Sequence, residues 1–245
     1  MGSPMISASF NYLKDGDDAV MTVVIGGLLL LASPLIIPSV LVLGYVSRVV
    51  RRTAGGDDEL PVFEAWADLL VEGLKAFAVT LVYSLLPLAI LAVAAVFGVG
   101  AVVVGAGDGG AAGLFGGLLG GALALLLVLV AFAVSLAGLY VTPAALAAVA
   151  DSGRVGDGFA VGTLWGVITK RAYAVGWLSA AAVVLAGTLA VGVLSVVPVL
   201  GTIAGLFVQF YALVAAAAVI GWTWADVRPV ATDLTEPEPV ERPAV

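Results

Sequence analysis

The stretch AFAVTLVYSLLPLAILAVAAVFGVGAVVV, residues 76–104, decides the fold class because it contains no charged side chain. A helix rises about 1.5 Å per residue, and about 20 apolar residues cross the hydrocarbon core of a bilayer. The apolar residues are continuous and do not alternate with polar ones, which indicates a helix and not a strand of a membrane barrel. The sequence therefore predicts an integral membrane protein.

The rest of the chain has the same character. Of its 245 residues, 62% are hydrophobic and 11% are charged, whereas roughly one quarter of a soluble domain is charged. Uncharged runs separate short charged loops along most of the sequence. We predict an all-α polytopic membrane protein with about five transmembrane helices, at residues 20–46, 75–104, 114–140, 173–197 and 202–224.

The first apolar segment has two interpretations. Pro34 and Pro38 lie in its middle, where a proline removes a backbone hydrogen bond and kinks a helix. The segment is either one kinked span or a re-entrant hairpin, and the hairpin would bring the predicted count to six.

The predicted domain organisation is simple. Residues 1–19 form a polar N-terminal segment, and residues 20–225 form a single helical membrane domain. Residues 226–245 are rich in proline and acidic side chains and almost lack aromatic ones, so we predict a disordered tail.

The basic residues predict the orientation. Arginine and lysine flank the loop between the first two spans, the loop between the third and fourth spans, and the end of the fifth span. With five spans these places lie on one side, and the positive-inside rule assigns that side to the cytoplasm. We therefore expect a multi-pass protein of the cell membrane with its N-terminus outside and its C-terminus in the cytoplasm.

The most highly charged stretch is RVVRRTAGGDDELPVFEAW, residues 48–66. After its arginines and glycines, apolar residues recur at helical spacing from Val62 to Gly73, with acids on the opposite face. This pattern predicts an amphipathic helix in the cytoplasmic interface, anchored by Phe63, Trp66 and Leu70. These anchors should face the acyl boundary or the bundle, and the acids Glu64, Asp68 and Glu72 should be in water.

The two halves of the membrane domain resemble each other at a shift of about 96 residues. Each half reads as a span, a charged glycine-rich turn, an amphipathic stretch, a basic residue and a span. We predict a parallel internal repeat with halves at about 20–104 and 114–197, followed by a final helix at 202–224. Chance similarity between alanine-, valine- and glycine-rich helices is the alternative.

Small and polar residues inside the predicted spans suggest packing roles. Gly113, Gly117 and Gly121 form a ridge of small residues that lets helices approach closely. The polar candidates for an intramembrane or partner site are Gln209, Tyr211, Ser195 and Tyr83. Hydrogen bonding between helices is the simpler explanation of these four residues, and a site for an uncharged solute or lipid is the alternative.

The composition narrows the possible chemistry. The chain contains no cysteine and no histidine, which excludes disulfides, thiolate nucleophiles, imidazole catalysis and zinc sites built on these residues. Its loops offer no converging acid, base and nucleophile. We therefore expect no catalytic, cofactor-binding or metal-binding residues. Seventeen acids against ten bases also predict adaptation to high salt.

Several motifs resemble one family of archaeal membrane proteins, catalogued as domain of unknown function 4013. They are LGYVSRVVRR (43–52), GDDELPVFEAWADLLVEGLK (56–75), TPAALAAVADSGRVGDGF (142–159) and VVPVLGTIAGLFVQFYALVAAAAVIG (196–221). The resemblance implies a multi-span helical protein common in haloarchaea. It implies no known activity and no catalytic residues.

Two classes of function fit the sequence. The first is a structural, scaffold or accessory subunit of a membrane assembly, and the second is a passive permease or lipid-handling protein for an uncharged solute. The expected partners are the lipid bilayer and other membrane proteins or further copies of this chain, with no nucleic acid. A pore or cavity lined by Gln209 and the proline turns would favour the second class, whereas a closed, dry bundle would favour the first.

Overall fold

A computed structural model describes residues 2–13, 18–107 and 110–228, and all regular secondary structure within these ranges is helical. The predicted all-α class is therefore confirmed. The predicted tail lies outside the described residues from residue 229 onward. The helices are α1 (Gly2–Tyr12), α2 (Ala19–Leu31), α3 (Ile36–Ala54), α4 (Trp66–Gly107), α5 (Ala111–Ser152), α6 (Val161–Ile168), α7 (Arg171–Leu194) and α8 (Leu200–Val227), with a 3₁₀ turn at Val155–Phe159.

Four of the described helices are long and apolar enough to cross a membrane, namely α4, α5, α7 and α8. They contain the second to fifth predicted spans. The count of five is not confirmed, because the first predicted span is not one helix. A gap at residues 32–35 divides it into α2, which has only 13 residues, and α3.

The α2 and α3 helices run in opposite directions along α8. On α2, Gly26 lies against Phe210 and Gly27 against Phe207. On α3, Tyr45 lies beside Phe210 and Thr53 packs against Gly221. Residue numbers therefore rise in the same direction on both helices, so α3 and α8 are parallel. The break occurs just before Pro38, which cannot donate a backbone hydrogen bond to a continuous helix. The two helices therefore form an antiparallel helical hairpin.

The α4 and α5 helices form a long antiparallel pair. Each has 42 residues, or about 63 Å, which is about twice the thickness of the hydrocarbon core. The beginning of α4 packs against α3, where Gly73 meets Val40 and Gly44 meets Leu69. Because α4 is continuous from Trp66, the prediction of a separate interfacial helix at residues 62–73 is wrong. Residues 66–73 are the first turns of the long helix, where they pack on α3, and residues 62–65 precede it.

The α7 and α8 helices form a second antiparallel pair. Gly176 faces Thr223 near one end of the pair, and Gly187 faces Ala212 near its middle. The connection at residues 195–199 is tight, because a Cβ on Gly201 would overlap the carbonyl oxygen of Leu194. The motif PVLG at residues 198–201 overlaps this turn, and its proline and glycine are residues typical of turns.

The core lies where α3, α7 and α8 meet the end of α5. Its largest fully buried side chains include Tyr45, Tyr173 and Phe210. The N-terminal helix α1 closes one side of the core, where Tyr12 contacts Trp222 edge-on and Phe10 stacks on Tyr211. A segment predicted only to be polar is thus partly built into the fold.

The predicted parallel repeat is not confirmed. Both halves contain a left-handed glycine after a helix, Gly56 at φ 81° and Gly153 at φ 72°. They differ in the next element: the first half continues as the unbroken α4, whereas the second half breaks at residues 169–170 between α6 and α7.

Candidate functional site

The fold collects basic residues at one end of the helices. Lys75 Nζ donates to the carbonyl oxygen of Gly153 at 2.9 Å, which joins the start of α4 to the end of α5. Lys170 Nζ donates to the carbonyl oxygen of Val227 at 2.6 Å, near the end of α8. Charged side chains from distant loops therefore share one end of the molecule, which we call the basic end.

A charged cleft lies at this end. Glu72 accepts from Arg51 at 2.7 Å and from Arg48 at 3.4 Å, and its side chain is 16% exposed. Arg48 also donates to the carbonyl oxygen of Glu64 at 3.0 Å. The single carboxylate therefore holds the guanidinium groups of Arg48 and Arg51 against α4. The prediction that Glu72 stands in water is wrong, because its partners come from a helix that is distant in sequence.

The cleft has a volume of about 310 Å³ and is lined by α3, α4 and the end of α5. Three cationic side chains and two acidic ones contribute to its wall. The lining residues are Ser47, Arg48, Arg51, Asp68, Val71, Glu72, Lys75, Val149, Ala150 and Gly153.

An apolar groove of about 440 Å³ lies between α3, α5, α7 and α8. Its volume is in the range of roughly 300–1,000 Å³ that is typical of small-molecule sites. Leu139 and Leu185 at its edge are exposed, so the groove opens onto an apolar surface. The lining residues are Leu43, Val46, Ser47, Val50, Ala76, Leu139, Pro143, Leu146, Trp177, Ala180, Ala181, Val184, Leu185, Thr188, Leu213, Ala216, Ala217 and Ile220.

The charged cleft and the apolar groove are neighbours. Ser47 lines both, and the consecutive residues Lys75 and Ala76 line the cleft and the groove respectively. Along α5, residues 139–146 line the groove and residues 149–153 line the cleft. The two spaces thus follow one another along α5 toward the basic end. An arrangement of this kind suits an amphiphile with one apolar and one polar part.

The four polar candidates from the sequence do not meet in one site. Tyr83 on α4 donates to the carbonyl oxygen of Gly158 at 2.9 Å, and Tyr211 on α8 donates to that of Phe10. Ser195 bonds to its own helix at the exposed end of α7. Gln209 is half-buried on α8, and neither Gln209 nor the other three residues line the groove.

The three predicted anchors occupy different environments. Phe63 is buried in the bundle and stacked on Tyr45, with ring centroids 4.2 Å apart. Trp66 is 46% exposed and stacks on Phe63, while Leu70 is half-buried. The bundle is one of the two surroundings expected for these anchors, and Phe63 lies there.

The predicted glycine ridge contributes to the α4–α5 contact. Gly117 packs against Gly105 and Ala101, and the neighbouring Gly120 also meets Ala101. Gly113 is buried, whereas Gly121 faces open space. The face of α5 that packs on α4 therefore includes Gly117 and Gly120 but not Gly121.

The loop after α5 contains a further charge pair. Arg154 and Asp157 form a salt bridge at 2.9 Å. Hydrogen bonding from Ser152 and then from Arg154 holds the pKa of Asp157 below its usual value. Among the described residues, no group of three or more acidic side chains is placed to hold a metal ion.

The sequence reasoning missed the charged cleft and the apolar groove. A signal was present on α3, where Leu43, Val46 and Val50 share one helical face and Arg48 and Arg51 share the adjacent one. That signal identifies a helix with an apolar and a basic face. The helices that complete the walls come from residues that are about 20 positions away for α4 and up to about 170 positions away for α8.

Comparison with known proteins identifies a family. Neither the curated proteins nor the solved structures contain a match to this chain. A family model described as "Protein of unknown function (DUF4013)" matches residues 27–197, which is more than half of the chain. The match includes α3 to α7 and hence every lining residue of the cleft and most of those of the groove. The chain therefore belongs to the family of proteins of unknown function described as DUF4013.

Proposed function

We propose that the protein is a non-enzymatic lipid-binding protein of the membrane, in which the apolar groove holds an acyl chain. The groove is the observation that supports this proposal. It is lined almost entirely by aliphatic side chains and opens among exposed leucines, where bilayer lipid has direct access. Burial of apolar surface that packs well against a chain favours its retention. The groove contains Pro143 but not Gln209, so it is not the cavity that the sequence analysis named as the criterion; its aliphatic lining is the reason that we prefer the lipid-handling class.

The test places a larger side chain on the α7 wall of the groove, so that it occupies the space proposed for the acyl chain. Ala181 on α7 lines the groove, whereas the next residue, Ala182, is exposed and does not line it. We expect Ala181→Phe to lower the number of lipids retained by the purified, delipidated protein after lipid titration, as counted by native mass spectrometry. Ala182→Phe is the matched control and should bind as the parent does.

A second readout uses Trp177, which also lines the groove. Lipids with brominated acyl chains should quench tryptophan fluorescence less in Trp177→Phe than in the parent. If Ala181→Phe is too bulky to fold, Ala181→Leu replaces it. Equal lipid binding by the Ala181 variants, Ala182→Phe and the parent would overturn the proposal.

The second candidate is a scaffold or accessory subunit of a membrane assembly. The α4–α5 hairpin favours it, since only 6% of the most apolar window of α4 is buried, compared with 56% for α8. A shallow groove lined by small residues, including Gly98, Gly105 and Gly121, faces outward on this hairpin. A second copy of the chain could present the same surface. Gly121→Leu should then abolish self-association, while Gly192→Leu, also in open space on α7, should not.

For the topology, we propose four spans and a re-entrant α2–α3 hairpin in the cell membrane, with the basic end in the cytoplasm. The antiparallel course of α2 and α3 supports the hairpin, and the basic end supports the orientation. This arrangement moves the N-terminus to the cytoplasmic side. The parallel repeat and a haloarchaeal origin also remain proposals, supported by the matching glycine turns and by the acidic composition.

A further inference from the structure

We infer that the charged cleft selects a membrane lipid with an anionic phosphate headgroup, while the acyl chain of that lipid lies in the apolar groove. The inference rests on the proposed function, because it assigns a headgroup to the lipid held there. Its starting point is the shared wall of the two spaces at Ser47 and at Lys75 and Ala76.

The spacing fits one amphiphile. Pro143 lines the groove and Ala150 lines the cleft, and they are seven residues apart on α5, or about 10 Å. The cleft lies on the side of the basic end. A lipid whose acyl chain occupies the groove therefore has its headgroup at the level of the cleft.

The charges favour a phosphate. The Glu72 carboxylate is already engaged by Arg48 and Arg51, so it offers little to a cationic headgroup. Arg51 is 45% exposed and uses one nitrogen for Glu72, which leaves guanidinium N–H groups directed away from that pair. A phosphate oxygen accepts such donors in short, charge-assisted hydrogen bonds.

Lys75 adds a second donor group. Its ammonium has three N–H bonds, and one of them goes to the carbonyl oxygen of Gly153 at the end of α5. That bond fixes the ammonium at the rim of the cleft, and the remaining two N–H bonds can reach a ligand. Asp68 is the one acid in the cleft wall that is not paired with these cations, and it is exposed. The net charge of the wall therefore remains positive.

The experiment compares two lipids with identical acyl chains, phosphatidylglycerol and phosphatidylcholine. Binding of each to the delipidated full-length chain is titrated by native mass spectrometry for the parent, Lys75→Gln, Arg51→Gln and Arg171→Gln. The glutamine at position 75 keeps a donor for Gly153. Arg171 is exposed at the start of α7 and does not line the cleft, so its variant is the matched control.

We expect the parent to prefer phosphatidylglycerol, and the preference to fall about fivefold in Lys75→Gln and in Arg51→Gln. Arg171→Gln should keep the preference, and all four proteins should bind phosphatidylcholine equally. An unchanged preference in both cleft variants would overturn the inference, and so would an equal fall in Arg171→Gln, since that result indicates general surface charge. These outcomes leave the groove proposal intact, because that proposal fails only if Ala181→Phe binds both lipids as the parent does.

Discussion

Gly73 of α4 lies directly against the carbonyl oxygen of Val40 in α3, so closely that a Cβ at position 73 would overlap that oxygen. The reciprocal contact, between Gly44 of α3 and the backbone of Leu69, lies one turn away. This pair of contacts brings two backbones together without side chains between them. It also brings Arg48 and Arg51 within reach of Glu72, and so it builds one wall of the charged cleft.

The close crossing predicts a large effect of a single methyl group. Gly73→Ala forces α3 and α4 apart and should lower the free energy of unfolding by about 1–3 kcal/mol or more. Gly100→Ala is the matched control, since Gly100 is also inside α4 but has open space around it. It should be neutral or slightly stabilising. Thermal unfolding of both variants in detergent would check this, and equal stability would contradict it.

The buried position of Phe63 predicts that its removal costs more stability than removal of the partly exposed Phe159. Phe63→Ala removes a ring stacked between Tyr45 and Trp66 and should cost about 3–5 kcal/mol. Phe159, which stacks on Tyr83 in the second half, is 36% exposed, so Phe159→Ala should cost clearly less. The comparison is made by chemical unfolding of the two variants, and a greater loss for Phe159→Ala would show that the first loop is not part of the core.

Glu72 predicts a contrast with its neighbour Asp68. Glu72→Gln leaves two guanidinium groups without their carboxylate and should destabilise the protein by about 1 kcal/mol or more. Asp68→Asn changes an exposed carboxylate and should alter stability by less than about 0.5 kcal/mol. Melting temperatures at low ionic strength would reveal the difference. The opposite ranking would indicate that Asp68 has a function of its own.

The chain contains no cysteine, so single cysteines can be introduced as labels. The proposed topology predicts the side of the membrane from which each of them reacts. Cysteines at Arg52 and Arg154 should react only with membrane-permeant reagents, and a cysteine at Gly110 should react from outside. A cysteine at Asn11, which is exposed on α1, separates the two topologies. With four spans and a re-entrant hairpin, the cysteine of Asn11→Cys reacts from the same side as that of Arg52→Cys. With five spans, it reacts from the same side as that of Gly110→Cys.

The acidic surplus predicts a salt-dependent stability. Seventeen acids against ten bases repel one another at low ionic strength, and salt screens that repulsion. The melting temperature should therefore rise between 0.1 M and 2 M potassium chloride, in contrast to a protein stabilised mainly by surface ion pairs. A melting temperature that stays constant or falls over this range would argue against adaptation to high salt.

The sequence by itself determined the membrane class, the helical fold, four of the apolar segments and the family. Each of these depends on local properties. The length of an uncharged run, the period of its apolar residues and the spacing of a motif can all be read from a few dozen consecutive residues. The turn at residues 195–199 was predictable for the same reason, since glycine and proline act on the backbone that contains them. The local pattern around Pro34 and Pro38 allowed two courses for the first segment, and the contacts with α8 show two separate antiparallel helices there.

Only the tertiary structure decided the site. Whether Phe63 faces a membrane interface or a core depends on Tyr45 and Phe210, which come from other helices. Glu72 has no strong partner along its own helix and finds two on α3 because glycines let the backbones meet. The groove and the cleft share a wall because α3, α4 and α5 pack against one another there. Packing between residues far apart in sequence determines which helix faces are in contact. The sequence of a helix with an apolar and a basic face does not specify which other helices pack against those faces.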